Sequence, residues 1–157
     1  MLMHVCAPAE LGPPTAYLSA TIADDAEELA QTRRAVRGWL AASGLDEAAD
    51  SAVLLMNELA TNVQQHAPGP ARLRLFLRPG LLRCEVLDSH RALPVLVSAD
   101  TDAEGGRGLR LVDALALCWG SVPAGRGKAV WFELPVPRAT REAPTREAPT
   151  RAHAVTG

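Results

Sequence analysis

The chain has 157 residues, a formal net charge of −2 and 48 % hydrophobic residues, which is typical of a globular domain with one core. Because the chain is mildly acidic, it has no excess of positive charge that would attract nucleic acid, so direct nucleic-acid binding is not expected. The four arginines and two glutamates of residues 138–157 make that segment +2, so the rest of the chain carries −4. A basic protein partner or a metal–phosphate ligand suits that charge better than DNA.

Cysteines and terminal sequences predict a reducing compartment. Cys6, Cys84 and Cys118 show no CxxC spacing, so neither a disulfide framework nor a zinc site follows. The first residues lack the basic segment and the long apolar run of a signal peptide. No stretch approaches the roughly 20 apolar residues of a membrane span. The sequence therefore predicts a cytoplasmic protein without a membrane segment.

Periodicity and turn signals predict a leader, an ordered domain and a tail. The leader is 1–14, the domain is 15–136, and the tail, which contains "REAPT" twice in tandem, is predicted to be disordered over 137–157. Elements are predicted in this order: an edge strand at 15–22, helices at 24–44 and 46–67, hairpin strands at 71–78 and 81–88, a helix at 109–117, and strands near 118–122 and 129–136.

This element order favours the α+β class, with a mixed or antiparallel sheet covered on one face by helices. The first helix can be capped by Asp24 or Asp25, and Gly44 ends it. In the second hairpin strand, alternate residues share the inner face: Leu82, Cys84 and Val86. Asp88 has the same parity, so it is expected to point toward the core at the strand end.

A polar pair interrupts the apolar pattern of the second helix in the stretch "LLMNELATNVQQHA", residues 54–67. Glu58 and Asn62 are four residues apart, so their side chains project from the same side of the helix. A carboxylate and an amide oxygen are hard groups that can hold Mg²⁺ and position a hydroxyl for proton removal. Taken alone, the spacing is common, and a solvated pair explains it more simply.

Two further features follow in the chain. Asp88, at its strand end, can accept a hydrogen bond from an exocyclic amine such as that of adenine, although aspartate also commonly starts turns. The segment "EGGRGLRLV" places three glycines within residues 105–108, directly before a helix, where backbone N–H groups and the helix dipole attract an anion. It matches neither the P-loop nor the dinucleotide fingerprint. In this order, the three features can supply metal, base and phosphate contacts to an Mg–nucleotide.

The motifs resemble those of a known superfamily. Four stretches look like the N, G1 and G2 boxes and the final strand of the GHKL (Bergerat-fold) ATPase/kinase superfamily: "NELATNVQQHA", "EVLDS", "GGRGLRLVDALALCWG" and "GKAVWFELP". Within it, the chain is similar to the anti-sigma-factor serine/threonine kinases over about residues 15–136. The resemblance implies a two-layer α/β sandwich that binds ATP and Mg²⁺ under a mobile lid at 92–104.

The resemblance also implies roles for individual residues. Glu58 would be the catalytic base, Asn62 the Mg²⁺ ligand within the ATP site, and Asp88 the adenine-binding acid. The phosphate contacts would come from the start of the third helix: Gly106, Arg107 and Gly108.

Two positions depart from the family pattern, both at the adenine end. His90 stands where the G1 motif usually has glycine, and its Cβ can crowd the base. Ala129 stands where the last strand commonly has a threonine after "GK". Two cations, Arg107 and Lys128, are expected as mobile charges near the phosphate side.

Three functions are compatible with this pattern. The first is an ATP-dependent serine/threonine-protein kinase that phosphorylates a STAS-type anti-anti-sigma factor, sequesters a sigma factor and so regulates transcription. The second is a catalytically weak or inactive nucleotide-binding module that acts by protein–protein sequestration. The third, the ATP-binding half of a histidine kinase, is disfavoured because no dimerisation helix with a phospho-accepting histidine is expected before the domain. The sequence leaves a homodimer open.

Overall fold

The computed structural model describes residues 14–22, 25–66, 69–88, 112, 114–125, 127–138 and 146–147, with the backbone alone at 66, 146 and 147. The elements within these ranges are β1 (Ala16–Ile22), α1 (Ala26–Ala42), α2 (Asp46–His66), β2 (Ala71–Arg78), β3 (Leu81–Leu87), β4 (Cys118–Ala124), β5 (Gly127–Pro135) and β6 (Arg146–Glu147). A helical turn that includes Val112 precedes β4.

The strands form one sheet in the order β4-β5-β3-β2-β1-β6. Neighbouring strands are antiparallel, except that the two-residue β6 pairs in parallel with β1. Helix α1 packs on β1, and α2 packs on β2, β3 and β5. The predicted fold class, a mainly antiparallel sheet with helices on one face, is confirmed.

The β2–β3 hairpin shows why the alternating sequence forms a half-buried sheet. Its register sets Leu73 opposite Val86 and Leu75 opposite Cys84, and all four side chains are fully buried under the helices. The arginines of β2 have the opposite parity and project from the other face. Gly80 closes the hairpin with φ 77°, a conformation that glycine adopts without steric cost.

Helix α1 begins and ends at the predicted signals. Asp25 is its N-cap, and the Asp25 Oδ1 atom accepts a hydrogen bond from the Glu27 N–H at 2.8 Å. Gly44 follows the helix with φ 73°, which suits a helix stop. Val36 and Leu40 are completely buried and fix the helix on the sheet.

Helix α2 brings its C-terminal end to one end of the sheet. The connection at residues 67–70 is too short to run the length of a strand, so α2 ends close to where β2 begins. At that sheet end, Arg72 of β2 pairs with Leu87, the last residue of β3. The second half of α2 and the exit of β3 therefore lie at the same edge of the domain.

Several predictions concern residues that the structure does not describe. Residues 1–13 of the predicted leader, the lid at 92–104 and most of the tail lie outside the described residues, so the domain limits stay predictions. Of the tail, the structure describes Pro137, Arg138 and the backbone of Arg146–Glu147, and the last two residues pair with Leu18 and Ser19 of β1. Of the third helix, the described part is the turn in which the Ala116 N–H donates to the Val112 carbonyl oxygen at 2.8 Å.

Two further sequence expectations concern cysteines and membranes. Cys84 and Cys118 are buried thiols that are not part of a disulfide. Burial raises the pKa of the Cys84 thiol, and the negative charge of Glu85 adds to that rise, so the thiol stays protonated and unreactive. Among the helices of the described residues, none combines the length and the apolar character that crossing a bilayer requires.

The adjacent leucines Leu54 and Leu55 of α2 give a matched test of the core. Leu55 is completely buried, whereas Leu54 is 40 % exposed. We expect Leu55→Ala to lower the free energy of unfolding by about 2–5 kcal/mol, because it leaves a cavity under the helix. Leu54→Ala should cost less than about 1 kcal/mol. Urea unfolding measures both, and equal losses would contradict the placement of α2.

Candidate nucleotide site

The polar pair of α2 lies at the border of the buried helix face. Leu55 and Leu59 are fully buried, while Glu58 and Asn62 are half-buried. Their spacing of four residues places them one turn apart on one side of the helix. Thr61, between them in sequence, is exposed. Both polar groups are thus held by the fold and remain accessible to a ligand.

Asp88 continues the ladder of β3 by one residue and points inward, as the strand parity predicted. Its N–H donates to the Lys128 carbonyl oxygen at 3.0 Å. The Asp88 side chain is 2 % exposed. Because β3 ends at the edge of the sheet where α2 also ends, the carboxylate and the Glu58–Asn62 pair belong to the same end of the domain. The role of Asp88 in base binding stays a prediction.

Gly127 allows the backbone to close tightly on Asp88. A Cβ at residue 127 would lie 1.9 Å from the Asp88 carbonyl oxygen and 2.8 Å from Oδ1 of the same residue. Both distances are far shorter than a van der Waals contact, so any other residue at 127 must displace the start of β5. The sequence analysis missed this requirement, although Gly127 stands in the quoted final-strand motif.

Lys128 is a buried partner of Asp88. Its Nζ atom lies 3.4 Å from Asp88 Oδ2, and its side chain is 6 % exposed. Its backbone N–H also donates to Asp88 Oδ1 at 3.3 Å. The prediction of Lys128 as a mobile charge was therefore wrong. Alternation along β5 explains this placement, because residue 128 has the same parity as the core residues Val130 and Phe132.

Ala129 is on the other face of the sheet. It pairs with Leu87 and has the opposite parity to Lys128. The expectation that Ala129 weakens the adenine end is therefore corrected: a hydroxyl at position 129 would project away from the Asp88 carboxylate. Position 128 is the one that faces the site.

The donor set suits Mg²⁺ bound together with a polyphosphate. The described ranges contain no group of three histidine, cysteine, aspartate or glutamate side chains that could hold a metal ion. Mg²⁺ commonly takes only one or two protein ligands and completes its octahedron with phosphate oxygens and water. The half-buried Asn62, with Glu58 one turn away, fits that arrangement.

The remaining predicted residues lie outside the part of the chain that the structure describes. These are the phosphate-side residues and the G1 substitution: Gly106, Arg107, Gly108 and His90. Their roles stay predictions.

A known protein family matches most of this chain. Residues 22–132 match the family described as "Histidine kinase-like ATPase domain". Among solved structures, the histidine kinase domain of the blue-light activated histidine kinase from Erythrobacter litoralis EL346 is 24 % identical to this chain, with a TM-score of 0.48. The match covers 70 % of this chain and 60 % of that one. Among curated proteins, none matches.

A pair of glycine substitutions tests the close contact at Asp88. We expect Gly127→Ala to lower the free energy of unfolding by about 2 kcal/mol or more, because the backbone hydrogen bonds between Asp88 and Lys128 must be displaced. Gly38→Ala is the control: it lies within α1 with no atom near the added Cβ, and it should stabilise by about 0.5–1 kcal/mol. Urea unfolding distinguishes them. If Gly127→Ala left the free energy of unfolding unchanged, the close contact between Gly127 and Asp88 would be contradicted.

Proposed function

The chain belongs to the histidine kinase-like ATPase domain family, and we propose that it transfers the γ-phosphoryl group of ATP to a serine or threonine hydroxyl of a partner protein. The family assignment itself implies ATP binding. The observation that carries the proposal is the pairing of a half-buried carboxylate with a half-buried amide on α2, Glu58 and Asn62, at the sheet end where β3 presents Asp88.

Each described site residue has a chemical task in this proposal. Glu58 would accept the proton of the acceptor hydroxyl as its oxygen attacks the γ-phosphorus and the bond to the ADP leaving group breaks. Asn62 would hold Mg²⁺ through its amide oxygen. The metal, when bound, supplies charge neutralisation on the phosphates. Asp88, buried at the end of β3, would accept a hydrogen bond from the base and so orient it.

The proposed acceptor is a STAS-type anti-anti-sigma factor, with a sigma factor as the alternative partner. This part rests on the sequence resemblance to the anti-sigma-factor kinases. Phosphorylation would release the antagonist, free the kinase to sequester the sigma factor and thereby regulate transcription in the cytoplasm. The net charge of −4 outside the tail suits a partner with a basic contact surface.

A second candidate function is regulation by sequestration without phosphoryl transfer. The observation that favours it is the ion pair between Lys128 and Asp88, because a nucleotide base must bind to a carboxylate that already has a cationic partner. Under this alternative, the chain still binds its protein partner, and Mg–ATP affects that binding only weakly.

The kinase proposal is tested by transfer of labelled γ-phosphate from ATP to a STAS-domain protein from the same organism. We expect Glu58→Gln to slow the transfer about 10²–10⁴-fold with ATP binding retained, because only proton removal is lost. Thr61→Ala, a neighbouring exposed position on α2, is the control and should transfer at the wild-type rate. Glu58→Gln with undiminished transfer would rule out the assigned base.

If the wild-type chain binds Mg–ATP and the STAS-domain protein but transfers no label, the sequestration module is correct instead. Absence of Mg–ATP binding would rule out the kinase, and it would also rule out sequestration that depends on a nucleotide.

Asn62→Ala tests the metal end. Loss of one oxygen ligand should weaken Mg²⁺-dependent ATP binding by about ten-fold or more, which corresponds to one lost charge-assisted contact. Binding measured in excess EDTA should change little. Gln65→Ala, an exposed position near the end of α2, is the matched control. Equal losses with and without Mg²⁺ would contradict a ligand role for Asn62.

A further inference from the structure

Lys128 contacts both carboxylate oxygens of Asp88. Its ammonium lies 3.4 Å from Oδ2, and its backbone N–H donates to Oδ1 at 3.3 Å. The two side chains are only 6 % and 2 % exposed, so the pair is inside the domain. The carboxylate that faces the nucleotide end therefore has a cation from the neighbouring strand beside it.

The chemistry of this pair differs from that of a lone carboxylate. A carboxylate only accepts hydrogen bonds, whereas an ammonium group only donates, with three N–H groups. Side by side, Asp88 and Lys128 offer a bound base an acceptor and a donor at the same place. A purine with a 6-amino group can donate to Asp88, and a purine with a 6-oxo group can accept from Lys128.

A site with an acceptor alone would reject the 6-oxo purine. Two oxygen atoms would face each other without a proton between them, and the buried carboxylate would lose its hydrogen-bond partner. With Lys128 present, the ammonium can donate to the base oxygen while it stays beside Oδ2. The 6-amino purine gains less binding free energy here than at a site with an acceptor alone, because its amine competes with the Lys128 ammonium for Oδ2.

We propose that Lys128 determines base specificity: together with Asp88, it makes the site tolerant of the substituent at position 6 of a purine nucleoside triphosphate. This inference rests on the proposed nucleotide site. Lys128 has no part in phosphoryl transfer and acts only on the choice of base.

The test compares dissociation constants of Mg–ATP and Mg–ITP, which differ at the 6-position edge of the base, by isothermal titration calorimetry. The wild-type chain should bind the two within about three-fold of each other. Lys128→Met should bind Mg–ATP at least about ten-fold more tightly than Mg–ITP, because only the acceptor remains. Arg138→Met is the control: it removes the same charge just beyond the other end of β5 and should keep the wild-type ratio.

Three results would overturn the inference: a wild-type preference of about ten-fold or more for Mg–ATP, a Lys128→Met ratio equal to the wild-type ratio, or the same shift in Arg138→Met. Lys128→Met leaves a buried carboxylate without its cation and can unfold the domain. In that case, the ratio of the two dissociation constants of the wild-type chain alone decides whether the inference holds. If the wild-type chain binds Mg–ATP but discriminates strongly against Mg–ITP, only this inference is overturned. If the chain binds neither nucleotide, the proposed function and this inference are both overturned.

Discussion

The antiparallel pairing of β3 with β5 is the interaction on which the site depends. It joins strands that are distant in sequence, and its register runs from Leu81 opposite Pro135 to Leu87 opposite Ala129. Continuing that ladder by one residue sets Asp88 against Lys128. A slip of one residue would turn Lys128 to the other face and leave the Asp88 carboxylate facing a methyl group. The close approach of Gly127 to the Asp88 backbone opposes such a slip, because only glycine fits there.

The buried charges of the described residues form two groups with different geometry. On the sheet face away from the helices, Arg83 contacts Glu85 and Glu133 at 2.9 Å each and lies over the Trp131 ring at 4.1 Å. Several short contacts on a planar guanidinium make that cluster structural. On the helix side, Lys128 reaches Asp88 with one ammonium contact of 3.4 Å. The 3.4 Å contact of a flexible ammonium group yields more easily to a ligand than the two 2.9 Å contacts of Arg83, so the second group is better suited to binding.

Local signals in the sequence predicted most of the fold. Alternation gave both hairpin strands, and the cap at Asp25 and the stop at Gly44 gave the bounds of α1. Parity also predicted that Asp88 points inward. The same parity, applied to β5, would have turned Lys128 toward the core side of the sheet, whereas the resemblance pointed to residue 129. The close packing of Gly127 against Asp88 could not be predicted, because it depends on the pairing of strands that the sequence alone does not align.

The Lys128–Asp88 pair also affects how the two candidate functions are related. The carboxylate of Asp88 already has a cation beside it. A base therefore gains less binding free energy from a hydrogen bond to this carboxylate than from one to a carboxylate without a partner. At the proposed site, nucleotide affinity would then depend mainly on Asn62 with its metal ion and on the phosphate contacts, where charge is greatest. Kinase and sequestration module would therefore share one base end, and the chemistry around Glu58 and Asn62 would separate them. In the proposed function, residues of α2 and not of β3 would decide whether the domain transfers phosphate.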